Sequence, residues 1–176
     1  YKRQAEMMAA TVRAIHHHAP ECTVEVLTGD FLGNHDSVAA VLDGRPEIMS
    51  HNIETVRRLT RQVRSRSDYD RSLEVLQYSR TCAPDIMPKS SIMMWLGETE
   101  EDVLGAMDDL RAVGVDLLNI GQYLQPSRTH LPVQRYWLPE EFASLKTAAL
   151  EKGFVHCDAG PLVRSSYHAG EGYDEY

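Results

Sequence analysis

The 176-residue chain is 43% hydrophobic, 25% charged and 7% aromatic, enough apolar material for one globular domain with a real core. Its formal net charge of −8 argues against broad binding to a nucleic-acid backbone. No run approaches the roughly 18 apolar residues that cross a membrane.

The opening stretch, YKRQAEMMAATVRAI, is polar and amphipathic rather than a signal sequence. A chain that opens on Tyr1 and not on Met is expected to be a fragment, a processed product or a trimmed piece of a longer one. Cys22, Cys82 and Cys157 are far apart, so no metal-knuckle spacing exists. An odd count without a secretory signal predicts reduced thiols, each a small hydrophobe, and a cytoplasmic location, mitochondrial in a eukaryote.

Helical and strand patterns alternate along the chain. Ala5 to His18 predicts a helix ending before Pro20, and Thr23 to Leu27 a buried strand followed by a loop through Asn34. A short helix over His35 to Leu42 is closed by Gly44, and Pro46 to His51 is a second strand. Ile53, Val56, Leu59 and Val63 stand at helical spacing and predict a helix over Ile53 to Val63. Asp68 is the expected N-cap of a helix over Tyr69 to Arg80. A strand, SIMMWL, lies within Ile86 to Leu96, and Thr99 with Asp102 starts a helix that runs to Val113 and stops at Gly114. Val115 to Ile120 is a strand, Pro139 to Lys152 a helix with Pro at its start and Gly153 after its end, and Phe154 to Asp158 the last strand. The whole of 1–176 is expected to form a single α/β domain with a parallel sheet, its tail 159–176 docking back onto the site.

Polar residues cluster after the strands, at the carboxyl edge where α/β proteins build sites. In His51-Asn52-Ile53-Glu54-Thr55 the His, Asn and Glu can hydrogen-bond a ribose or an amino-acid head group; Asn52 and Glu54 equally suit the start of a helix. Lys89 is either a carboxylate-binding or Schiff-base lysine or a solvated residue at a strand start. Gly97-Glu98 suits the close approach of a ligand. In Gly121-Gln122-Tyr123-Leu124 a Tyr and a Leu can pack on a purine whose edge Gln122 reads, or the segment is a turn around Pro126. His16 to His18 form a histidine tract at a helix end, where the helix dipole alone accounts for them. Arg57 to Arg71 holds six arginines, a solvated face or a dock for an acidic partner. The tail Gly160-Pro-Leu-Val-Arg-Ser-Ser-Tyr-His168 carries hydroxyls and cations behind an apolar Pro161-Leu162-Val163, which allows it to fold back onto the sheet.

Taken in this order, VEVLTGDFLGN (24–34), HNIETV (51–56), VRSRSDYDRSLEVL (63–76), KSSIMMWLGETEEDV (89–103), GVDLLNIGQYLQPSRTHLPVQRY (114–136), LPEEF (138–142) and AGPLVRSSYHA (159–169) resemble the lipoyl synthase family over nearly the whole chain from about Thr11. The resemblance implies the C-terminal part of a partial (βα)6 barrel of the TIM type with parallel strands, in the radical S-adenosylmethionine superfamily. It implies two 4Fe–4S clusters and S-adenosylmethionine in the full-length enzyme, which inserts two sulfurs at carbons 6 and 8 of an octanoyl chain. The substrate chain is carried on a lipoyl carrier domain, such as E2 subunits or the glycine cleavage H protein. Iron–sulfur delivery proteins are implied as further partners, nucleic acid and membrane are not.

The family's CxxxCxxC and CxxxxCxxxxxC motifs precede the matched region and are absent from this chain. The chain alone is therefore expected to hold neither cluster and to be inactive, keeping at most weak S-adenosylmethionine contacts. The resemblance places those contacts on Asn52, Glu54, Lys89, Ser90, Glu98, Gln122 and Tyr123. It gives Arg164 a supporting role at the auxiliary cluster or the substrate chain, and Ser166, with Ser165 as its fallback, the role of an iron ligand to that cluster. The sequence departs from the family at Ser91, where Gly is usual, and at Trp95, whose bulk is expected to narrow the adenosine side. An alternative is a non-catalytic carrier-docking domain of the same fold that uses the arginines of 57–71 as its interface. A Schiff-base aldolase on Lys89 is a third.

Overall fold

A computed structural model describes residues 1–166; Tyr167, His168 and the outer part of the expected tail lie outside the described residues. Helix α1, Lys2–His18, buries Ala5, Ala9 and Val12 along one stripe. Small residues there allow close packing: a Cβ on Gly44 would meet the Ala9 Cα at 2.8 Å. Strand β1, Glu25–Leu27, is followed by α2, His35–Leu42, capped by the Asn34 side chain accepting from Ser37 N at 2.8 Å. Strand β2 is Ile48–Ser50 and leads through a 3-10 turn, Arg57–Leu59, into the one-turn α3, Thr60–Val63. Asp68 caps α4, Tyr69–Cys82, as expected. Strand β3, Met87–Met94, precedes α5, Glu100–Ala112, whose Thr99–Asp102 capping box satisfies donors at its N-terminus. The Arg58 guanidinium and the Thr99 amide, both on the Asp102 carboxylate, hold its pKa down at about 2. Strand β4 is Leu117–Gln122, α6 is Pro139–Glu151 and β5 is His156–Gly160.

The five strands stand in the order β1-β2-β3-β4-β5, every neighbouring pair parallel. A doubly wound sheet would reverse its order at a switch point; a barrel wall advances one strand at a time, as here. The two faces of the sheet differ. Ile92, Met94, Leu118, Ile120 and Cys157 face the helices and share a core with Val103, Met107, Leu110, Phe142 and Leu145. On the opposite face Ile48, Met87 and Leu117 form a small apolar floor. Above that floor the alternate positions Ser50, Lys89, Ser91 and Asn119 are polar and buried.

Two expectations are corrected. Residues 53–56 are not helical. The chain leaving β2 stays alongside β3: His51 N donates to Lys89 O (3.0 Å), Glu54 N to Ser91 O (3.1 Å), and Met93 N to Glu54 O (2.8 Å). Ile53 and Val56 are buried because this extended segment crosses the core, and Leu59 because the 3-10 turn that follows carries it there. Strand β3 starts at Met87, so Lys89 lies inside the sheet and is 3% exposed; it is not a solvated strand-start residue.

Candidate functional site

A cavity of about 520 Å³ opens at the carboxyl ends of β2, β3 and β4. Asn52, Glu54, Gln122, Tyr123, Arg164 and Ser165, which sequence patterns single out in three separate segments, all line it. Leu27, Met93, Leu124 and Val163 supply an apolar wall, and Ser91, Asn119 and Gly121 the inner face. Leu27, Asn119, Gly121 and Val163 escape a reading by motif. The one available signal was Asn119, a lone amide inside the apolar run VDLLNI, 2% exposed.

Glu54 holds the centre. Its backbone sits at φ +68°, a left-handed conformation that is uncommon for a residue with a side chain, pinned by its two bonds to β3. Its carboxylate meets the Asn52 amide at 3.5 Å and Arg64 Nη1 at 3.4 Å. Burial pushes its pKa above the ordinary value, with the Arg64 charge and the Asn52 hydrogen bond opposing. Asn52 Oδ1 and Ser91 Oγ are buried and find no partner among the described residues. Leaving such groups unpaired costs about 1–3 kcal/mol each, so a ligand that supplies hydroxyl or amine donors fits them.

His51 adds an acceptor on the far side of Asn52. Its Nδ1 stands 3.0 Å from the Thr28 carbonyl, which only accepts, so Nδ1 carries the proton and Nε2 is a lone pair without a partner among the described residues. Burial lowers its pKa and keeps the ring neutral. A second, polar cavity of about 500 Å³ shares Leu27, Asn52 and Glu54 with the first and adds His51, Arg64 and Arg66.

The start of the tail is fastened to β4. The Asn119 amide donates to the carbonyls of Arg164 (2.7 Å) and Ser165 (3.4 Å). The Arg164 guanidinium donates back to the carbonyls of Gln122 (3.4 Å) and Val163 (2.6 Å). Ser165 is partly buried and lines the cavity; Ser166, the next residue, is exposed and does not line it.

Three other singled-out residues do not line the cavity. Lys89 Nζ lies 2.8 Å from Glu25, whose other oxygen accepts from Ser50 Oγ at 2.6 Å, a buried network below the cavity. Ser90 Oγ accepts from Ile53 N at 3.2 Å. Glu98 is buried and accepts from the backbone N–H groups of Trp95 and Leu96, closing the turn after β3. Trp95 does not narrow the cavity either; it packs into the helix-side core and meets Tyr136 edge-on at 5.1 Å.

Five of the six arginines of 57–71 face carboxylates: Arg57 with Asp70 and Asp109, Arg58 with Asp102, Arg61 with Asp68, Arg64 with Glu54 and Arg71 with Asp30. That local neutralisation weakens the case for an acidic partner.

The thiols do not suit an iron–sulfur cluster. Cys157 is buried on the helix side, where burial pushes its pKa up to about 12, and Cys22 and Cys82 are exposed in separate elements. Among the described residues no group of three or more His, Cys, Asp or Glu is placed to hold a metal; His16 pairs with Glu47 at 3.2 Å. No helix among them is long and apolar enough to cross a membrane.

No family model matches the chain. Curated relatives do. The lipoyl synthase of Halalkalibacterium halodurans is 56% identical over 171 residues, 97% of this chain and 56% of its own length. That of Shouchella clausii is 59% identical over 167 residues, 95% of this chain and 54% of its own. The chain thus spans a little over half the length of these relatives. Among solved structures, methylornithine synthase aligns with a TM-score of 0.69 at 10% identity, over 86% of this chain and 44% of that one. SuiB of Streptococcus suis aligns with 0.66 at 10% identity, over 96% and 38%. The radical S-adenosylmethionine methyltransferase TsrM of Kitasatospora setae aligns with 0.50 at 11% identity, over 68% and 25%. At such identities these structures speak to the fold.

Proposed function

Over the part of their length that it spans, this chain belongs to the lipoyl synthase family, and on that premise we propose that it forms the S-adenosylmethionine-binding back of the barrel in an enzyme that inserts sulfur at carbons 6 and 8 of an octanoyl chain on a lipoyl carrier domain. The observation that carries this reading is the convergence of HNIET, GQYL and RSS residues on one cavity in which Asn52 Oδ1 and Ser91 Oγ have no partner among the described residues. When bound, the cofactor supplies hydrogen-atom abstraction from unactivated carbons.

This chain's residues bind and orient. Asn52 Oδ1 and the Glu54 carboxylate accept from ribose hydroxyls, and Ser91 Oγ offers one more polar contact. Tyr123 and Leu124 pack on the adenine, whose edge Gln122 reads. The apolar wall of Leu27, Met93 and Val163 takes the alkyl chain and excludes water from it. Lys89, Ser90 and Glu98 support these residues from below and beside the cavity, not by touching the ligand. Ser166, exposed just beyond the cavity-lining Ser165, would supply an alkoxide ligand to the auxiliary cluster, and Arg164 holds the segment that carries it.

Neither cluster is assigned to the thiols of this chain, so catalysis requires residues beyond it. The test is the full-length gene product, loaded with iron and sulfide and given an octanoylated carrier domain. Wild type forms lipoyl groups. Ser166→Ala retains S-adenosylmethionine cleavage and loses sulfur insertion, and Asn52→Ala weakens S-adenosylmethionine binding about tenfold or more in equilibrium dialysis. A full-length protein that cleaves no S-adenosylmethionine and converts no octanoyl carrier defeats the proposal.

A further inference from the structure

We infer that Asn119 and Gly121, two same-face positions of β4, are positioning residues that set the register of the tail carrying Ser165 and Ser166; its consequence for an iron site rests on the reading of Ser166 given above.

The backbone of β4 is already paired on both sides, with β3 through Asn119↔Ser91 and Gly121↔Met93 and with β5 through Asn119↔Asp158 and Gly121↔Gly160. An amide side chain in this apolar strand is therefore not needed to complete the ladder. At 2% exposure it has one visible employment: its Nδ2 donates to two successive carbonyls 45 and 46 residues further along the chain, those of Arg164 and Ser165. Successive carbonyls held by one donor group fix both the height and the rotation of that peptide segment.

Gly121 acts by absence. A Cβ built on it would stand 2.2 Å from the Val163 carbonyl oxygen, closer than a Cβ can approach a backbone atom, and 3.1 Å from its carbon. Its φ is not of the left-handed kind, so the glycine answers to this approach and not to its own conformation. The tail thus lies directly on the strand. Val163 is seated by Gly121, Arg164 by Asn119 and by its own guanidinium on the Gln122 carbonyl, and Ser165 by Asn119. Ser166 follows one Cα step, about 3.8 Å, beyond the last anchored residue. Its position is thereby set by β4 while its side chain stays exposed. An oxygen ligand is weak for iron, so preset geometry compensates for what the donor atom lacks.

The test uses this chain first. Asn119→Asp keeps the shape and removes the donor; Gly121→Ala adds the one carbon. Amide exchange over 163–166 and tryptic cleavage after Arg164 should each quicken tenfold or more in either variant, with β3 amide protection unchanged as the sign that the sheet is intact. Should a β4 variant unfold, Arg164→Ala removes the guanidinium's own bond to the Gln122 carbonyl, a second fastening of the tail to β4, and is read by amide exchange alone because it also removes the tryptic site. Wild-type exchange and cleavage in a folded variant overturn the inference. In the loaded full-length enzyme, Gly121→Ala should alter the Mössbauer signature of the auxiliary cluster. A freed tail with an unaltered cluster signature defeats the Ser166 reading and leaves the anchoring of the tail standing, so the two failures are told apart.

Discussion

The two faces of this sheet are built on opposite rules. Facing the helices, Ile92, Met94, Leu118, Ile120 and Cys157 belong to one continuous apolar core. Facing inward, positions one residue away are Ser91, Lys89, Asn119 and the glycine that admits the tail. Barrel interiors are usually plugged by branched apolar side chains. Here the floor of Ile48, Met87 and Leu117 follows that pattern, the layer above it, Ser50, Lys89, Ser91 and Asn119, is polar or charged, and apolar side chains return only at the wall of the cavity. The lesson is a division of labour by strand parity: the outward residues hold the sheet, and the inward ones carry unpaired and paired polar groups that the outward ones must stabilise.

The largest test of that division is on the outer face. Phe142, 1% exposed between α6 and the sheet, should cost about 3–5 kcal/mol when changed to Ala, read by urea unfolding of the chain. A loss under about 1 kcal/mol would show that the outer core is not what holds the strands.

Next is the inner face's charged pair. Lys89→Met leaves Glu25 and Ser50 buried around an uncompensated carboxylate and should destabilise by roughly 3 kcal/mol, whereas Lys89→Met with Glu25→Gln should recover most of it. Equal losses in the single and double variants would mean that packing, not charge, is what Lys89 supplies.

A smaller effect has the opposite sign. The folded-state pKa of Glu54 is raised, so its contribution to stability is present below the ordinary carboxylate value of 4.5 and is lost as pH rises through the folded value. Glu54→Gln should therefore stabilise the chain at pH 7 by on the order of 1 kcal/mol, a gain that closes below pH 4.5, while weakening S-adenosylmethionine binding in the full-length enzyme. A destabilised variant at pH 7 would show that the Arg64 pair outweighs the burial of the carboxylate.

The smallest effect lies outside both faces. Arg61→Ala breaks an exposed pair with Asp68 and should move the unfolding midpoint by less than about 0.5 kcal/mol. A larger change would give the arginine-rich stretch a structural weight that its exposure does not suggest.

Most of the architecture was legible from the chain. Alternating patterns, Asp68 and Thr99 at helix starts, and Gly114 and Gly153 after helix ends placed the five strands and the main helices, because caps and periodicity are local properties. The exception is residues 53–56, where apolar spacing mimicked the start of a helix that begins only with the 3-10 turn at Arg57. That spacing reports which side chains meet the core, and an extended segment running beside β3 can satisfy it too.

The site divides in the same way. Asn52, Glu54, Gln122, Tyr123 and Arg164 stand in polar segments after strands, and that position alone marks the carboxyl edge of an α/β sheet. Whether a polar residue near that edge faces a ligand or closes a turn is not local information. Lys89, Ser90 and Glu98 look like site residues in a linear reading; each is bonded within the fold to a partner brought near by the register of the strands or the shape of a turn. The sequence by itself determined a parallel α/β barrel segment of the lipoyl synthase kind and the edge at which its chemistry gathers. Tertiary structure alone decided that β4 receives the tail, through Asn119 and Gly121, because contact between residues more than 40 positions apart depends on strand register and on a missing Cβ, and neither leaves a periodic trace.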